Sequence, residues 1–193
     1  VFALATEYVE DVAETRERGT WAVALDIDET VLNNVDYQIR REQIGESYTP
    51  ESWHEWTSEK SATQVPGAKE FIERVNALGG HVALVTNRAD TEQLWTEENL
   101  ASVGLERNED FRVLLTRAQP KGASDKTPRF EVVPAMLAAQ GIVTPDDAAT
   151  IDEGLARIAE EYERDGVPED WDLEDIHMTV ESRLSELVGP VAG

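Results

Sequence analysis

Three acidic residues, Asp26, Asp28 and Glu29, fall within four positions directly after an apolar run over 21–25, in the stretch WAVALDIDETVLNN that covers 21–34. An aspartate, with a reference pKa of about 3.9, is ionised at neutral pH and can attack phosphorus once a cation offsets its repulsion from a phosphate. Asp28, two residues on, points back into the same site, where it could protonate a leaving oxygen. General acid catalysis of that kind is typically worth about 10² to 10⁴ in rate. Both carboxylates would also crowd one Mg²⁺, a hard cation that selects oxygen ligands and keeps several waters.

Two later stretches carry matching chemistry. HVALVTNR, over 81–88, ends in Thr86, Asn87 and Arg88 just before a helical pattern. A hydroxyl, a helix N-terminus and a guanidinium together make an anion site. SDKTPRF, over 124–130, offers Lys126 as a point positive charge for a nucleophile and a phosphoryl group. The formal charge of −23 does not oppose this, because acids beyond a Debye length of about 8 Å are screened. One cation at 4 Å is worth about 4 kcal/mol at an effective dielectric of 20, so near charges decide.

The elements that must position these residues read as an α/β domain. Strands are expected at 21–27, 81–86 and 111–116, alternating with amphipathic helices, the signature of βαβ units and a parallel sheet. The first helix lies within PGAKEFIERVNALGG, where Phe71, Ile72, Val75 and Leu78 recur at helical spacing and Gly79-Gly80 supplies the stop. The second spans about 91–103. Residues 33–65, with Tyr37, Tyr48, Trp53 and Trp56, are too long for a plain βα loop and read as a small helical insertion or lid over the strand ends. These aromatics either stack on a ligand ring or form the lid's own core. Pro134 should break a helix that otherwise runs from Arg129 to Gln140, which sets a boundary there.

Beyond that boundary no stretch reads as a strand. Helices are expected after Thr144-Pro145 and after Asp172, ending at Gly166 and Gly189. Asp146 and Asp147 sit where a helix N-terminus takes capping acids. The acids over 160–165 read as a solvated helix face. His54 and His81 have no partner spacing that suggests metal binding and read as structural or exposed.

Composition excludes several classes. The acidic balance and the lack of a basic patch disfavour nucleic acid, whose binding rests on Lys and Arg neutralising phosphates. No stretch approaches the roughly 18 apolar residues of a membrane span, and the first residues do not read as a signal peptide. With no cysteine, disulfides and thiolate metal sites are excluded.

LDIDETVLNNVDY, WHEW at 53–56, VPGAKEF, VTNRADTEQLWTEENLASVG and SDKTPRF, in that order over about residues 1–133, resemble the class B and class C acid phosphatases of the haloacid dehalogenase (HAD) superfamily. The resemblance implies a Rossmann-like fold and Mg²⁺-dependent hydrolysis of small phosphomonoesters, often nucleotides, through a phospho-aspartyl intermediate. It casts Asp26 as nucleophile, Asp28 as general acid and base, Asp26 and Asp28 as metal ligands, Thr86, Asn87 and Arg88 as phosphate-binding, Lys126 as charge stabiliser, and Tyr37, Trp53 and Trp56 as lid residues near substrate. The family closes its site with a further strand ending in an acidic motif, and nothing after Lys126 matches it. Its absence would leave the nucleophile-bearing strand with an unpaired edge.

AMLAAQGIVTPDDAATIDEGLARIAEEY and DWDLEDIHMTVESRLSELVGPVAG, over about 135–193, resemble the N-terminal helical region of argininosuccinate lyase. That resemblance implies a helical fragment, residues 134–193, which brings Asp175 and His177 without the lyase's catalytic segment. The chain thus reads as two partial sequences joined near Pro134. The alternatives to a phosphatase are an inactive fusion and a helical oligomerisation module that self-associates. The first resemblance points to export or the periplasm, the second to the cytoplasm.

Overall fold

A computed structural model describes residues 1–117, 124 and 126–141. Its elements are, in order, α1 (Phe2–Thr15), β1 (Ala22–Leu25), β2 (Leu32–Asn33), α2 (Val35–Gln43), α3 (Pro50–Glu59), β3 (Thr63–Gln64), α4 (Ala68–Leu78), β4 (His81–Ala89), a 3₁₀ turn (Asp90–Glu92), α5 (Gln93–Ser102), β5 (Val113–Arg117), α6 (Thr127–Phe130) and α7 (Val133–Ala139). β1, β4 and β5 form one parallel sheet in the order β1-β4-β5, as the alternation of apolar runs and amphipathic helices requires.

Side-chain alternation along β4 sends Val82 and Leu84 to one face and Ala83 and Val85 to the other. The first face meets Val9, Phe71, Ile72, Val75 and Leu100 from α1, α4 and α5. The second is covered by Val133 and Leu137 of α7. Helices on both faces explain why all of these strand positions are apolar. The sequence reading assigns no element to Phe2–Thr15, yet its apolar residues Phe2, Ala5, Val9 and Val12 fall on one helical face against α4. Phe2 and Phe71 rings lie 5.4 Å apart there.

The helix expected over 129–140 is broken just ahead of Pro134. The chain turns at Glu131 and Val132, and Pro134 occupies the first turn of α7, where its missing N–H costs nothing. The packing that holds the sheet thus continues past the expected boundary. The helices expected after Thr144 and Asp172, with Asp146, Asp147, Asp175, His177 and the acids over 160–165, lie outside the described residues.

The insertion is helical, as expected, and is tied down at its base. β2 and β3 pair antiparallel, Leu32 opposite Gln64 and Asn33 opposite Thr63, so the chain leaves and returns through one short ladder. α3 starts with a capping box, in which Thr49 and Ser52 satisfy each other's backbone N–H, and with Pro50 in its first turn.

A candidate phosphoryl site at the strand ends

Because β1, β4 and β5 are parallel, their carboxyl ends share one edge of the sheet, where ligands bind in such folds. β1 delivers Asp26. One of its carboxylate oxygens accepts from the Ile27 N–H at 2.7 Å and the other pairs with Lys126, which stands just ahead of α6. The Asp26 side chain is 40% exposed, so an incoming group can reach it.

The chain then turns tightly. The Ile27 carbonyl accepts from the N–H groups of Thr30, Val31 and Leu32, and Glu29 takes a left-handed conformation with φ of 61°. This turn points Asp28 inward, onto Arg88. The guanidinium grips its carboxylate with a terminal nitrogen at 2.7 Å from Oδ1 and Nε at 3.2 Å from Oδ2, a bidentate pair.

β4 presents Arg88 through an irregularity. Its ladder with β5 is regular up to Val85 opposite Leu115 and resumes at Ala89 opposite Arg117, so Thr86, Asn87 and Arg88 face a single β5 residue. Such a bulge re-aims side chains beside a site. The Thr86 hydroxyl accepts from the Arg88 N–H at 3.1 Å and lies 3.5 Å from Asp28. Asn87 accepts from Arg129 at 2.5 Å.

The structure therefore brings Asp26, Asp28, Thr86, Asn87, Arg88 and Lys126 to one edge, but it departs from the expected division of labour. Arg88 is 1% exposed and commits its guanidinium to Asp28, to Asn34 Oδ1 at 3.3 Å and to Thr96 at 3.4 Å. Thr86 is likewise buried. Asn87, on the cleft wall, remains the accessible member of the trio expected on a phosphate. Of the two alternatives for the lid aromatics, Tyr37 and Trp56 take the core: both are buried, the Tyr37 hydroxyl on Ser52 at 2.9 Å and the Trp56 indole on Asn34 at 2.8 Å, so neither ring wall is open to a ligand. Trp53 alone of the three lines the cleft, with Tyr48 beside it.

Sequence reasoning missed three residues. Asn34 stands at the N-terminal cap position of α2, yet its side chain makes no capping bond. Instead its amide donates to Asp28 and to Glu29 at 3.0 Å each, and its oxygen accepts from Trp56 and Arg88. Buried completely, it ties the lid to the site. Glu92 and His54 form the other tie: Glu92 accepts from the Ala89 N–H at 3.0 Å and from His54 Nδ1 at 3.0 Å. Nothing in their spacing, 38 residues apart, signals the pair.

For a cation, the donor set is two carboxylates two residues apart. Each oxygen of an ionised carboxylate accepts more than one partner, and Asp28 Oδ2 has only long contacts at 3.2 and 3.5 Å. That suits Mg²⁺, which takes one or two carboxylates and completes its shell with waters and phosphate. Among the described residues no cluster of three His, Cys, Asp or Glu side chains could hold a metal. A cleft of about 530 Å³ runs outward from Asp28 and Arg88 between α3 and the turn after β4.

A family model described as HAD superfamily, subfamily IIIB (Acid phosphatase), matches residues 1–136. Among solved structures, the class C acid phosphatase from Bacillus anthracis is similar at 25% identity with a TM-score of 0.59, over 70% of this chain and 55% of that chain. This chain thus spans about half the length of that relative. The class C acid phosphatase from Bacillus anthracis with tungstate bound is similar in fold, at 21% identity and a TM-score of 0.56, over 92% of this chain and 86% of that chain.

Proposed function

Because the chain belongs to subfamily IIIB of the HAD superfamily, the acid phosphatases, we propose that it hydrolyses small phosphomonoesters, nucleotides among them, with Asp26 as nucleophile. The observation that carries this reading is the pairing of an accessible aspartate with Lys126 beside a second aspartate locked by Arg88, all at the carboxyl ends of parallel strands. Lys126 offsets the repulsion between the Asp26 carboxylate and a phosphate. Asp26 forms the new oxygen–phosphorus bond while the ester oxygen departs with a proton from Asp28. Water then cleaves the phospho-aspartyl group, its proton returning to Asp28. Arg88 and Asn34 hold Asp28 in place for both transfers, and Asn87 lies on the phosphate's side of the cleft. Mg²⁺, held by Asp26 and Asp28, would supply further charge neutralisation at the phosphoryl oxygens.

The test is hydrolysis of p-nitrophenyl phosphate. Replacing Asp26 by Asn should lower kcat by at least about 10³-fold, as expected when a covalent nucleophile is lost. The fold should survive, since the side chain holds only a neighbouring N–H and Lys126. Undiminished turnover in Asp26→Asn refutes the assignment, and activity that persists in EDTA refutes the metal requirement.

A further inference from the structure

His54 takes no part in the chemistry above, yet it lines the cleft that leads to Asp28. Its ring is fixed on two sides. Nδ1 is held by Glu92, whose side chain is 4% exposed and whose other oxygen is spent on the Ala89 N–H. The ring packs against Trp95 at a centroid distance of 4.8 Å. The Glu92 carboxylate holds Nδ1, so Nε2 is the ring atom left for a partner in the cleft. With the side chain 48% exposed, Nε2 has no hydrogen-bond partner among the described residues.

The cleft is polarised accordingly. Beyond the Asp28 carboxylate at its base, its strand side bears the donors Asn87 and Arg117, whereas its lid side bears the exposed Glu51 carboxylate and His54 Nε2. A phosphomonoester with its phosphate toward the donors extends its alcohol portion toward the lid side. We propose that His54 is a specificity-determining residue, whose Nε2 accepts a hydrogen bond from a hydroxyl or amino group on the leaving alcohol. The proposal rests on the phosphatase reading for the direction in which substrate lies. A latch between lid and sheet would need Nδ1 alone; the free Nε2 is what a latch leaves unexplained.

The experiment compares glycerol 3-phosphate, whose leaving group carries hydroxyls, with p-nitrophenyl phosphate, whose leaving group has no donor. In His54→Phe, which keeps a ring against Trp95, KM for glycerol 3-phosphate should rise about threefold to tenfold, the net worth of one hydrogen bond, with KM for p-nitrophenyl phosphate within twofold. His54→Gln, which restores a side-chain acceptor, should recover part of the loss. Equal changes for both esters, or none for either, overturn the proposal, the former assigning His54 to lid position alone. If the wild-type protein turns over neither ester, the phosphatase reading fails. Calorimetric binding of glycerol 3-phosphate to wild type and His54→Phe then still decides the proposal: weaker binding to the variant supports it and equal binding, including none to either, overturns it.

Discussion

Removing the Arg88 guanidinium is the most searching perturbation, because the sequence reading puts it on substrate and the structure puts it on Asp28. Arg88→Met keeps the buried stem but deletes the bidentate contact to Asp28 and the longer bonds to Asn34 and Thr96. Breaking a buried pair by deleting one partner costs about 3–5 kcal/mol, most of it from stranding the other charge. Asp28 keeps 23% of its side chain exposed and is partly resolvated, so the lower end applies, about 3 kcal/mol. At roughly 2–4 °C per kcal/mol for a chain of this size, Tm should fall by about 6–12 °C. Urea unfolding followed by the fluorescence of the five tryptophans measures it. Combining Arg88→Met with Asp28→Asn should cost less than the two single losses added, by about 2 kcal/mol, because no charge is then left unpaired. A loss under about 1 kcal/mol for Arg88→Met, with strict additivity in the double variant, would refute the structural pairing. A large rise in KM for p-nitrophenyl phosphate would then return Arg88 to the phosphate.

Gly80→Ala should destabilise by about 1–3 kcal/mol through overpacking, since its Cβ would stand 2.5 Å from Cη2 and Cζ3 of the buried Trp21 ring; an unchanged urea midpoint disproves that packing. His81 titrates below its usual 6.5, first because burial penalises its charged form and then because Arg112 repels it, with a hydrogen bond to the Gly19 backbone partly opposing both. The unfolded chain thus takes up this proton first, so His81's contribution is intact above pH 6.5 and is lost as pH falls through that value. His81→Gln should flatten the fall in urea midpoint between about pH 7 and pH 5, and an unaltered pH slope excludes His81 as its source. If residues 134–193 self-associate, light scattering on the whole chain should give a mass above 21.5 kDa, and a strictly monomeric mass removes that role.

The amino-acid sequence by itself determined the sheet, its parallel sense and the positions that carry charge. Apolar runs flanked by amphipathic helices leave few other ways to bury Val82–Val85 type strands, and the acids, hydroxyl, guanidinium and ammonium all fall where those strands or their following loops end. It also set the helical character of the insertion, through the length of 33–65. Only the tertiary structure decided which charge meets which. Arg88 turns onto Asp28 because a bulge in β4, invisible to periodicity, lifts it out of the ladder and into a pocket closed by Asn34 and Thr96. Asn34, Glu92 and His54 act through contacts with residues up to 54 positions away or brought there by the lid, and a side chain's partners across such distances are fixed by packing rather than by spacing along the chain. For the same reason Tyr37 and Trp56, indistinguishable in sequence from ligand-stacking aromatics, are core: an indole or phenol is buried where its polar atom finds a partner, and Asn34 and Ser52 are those partners.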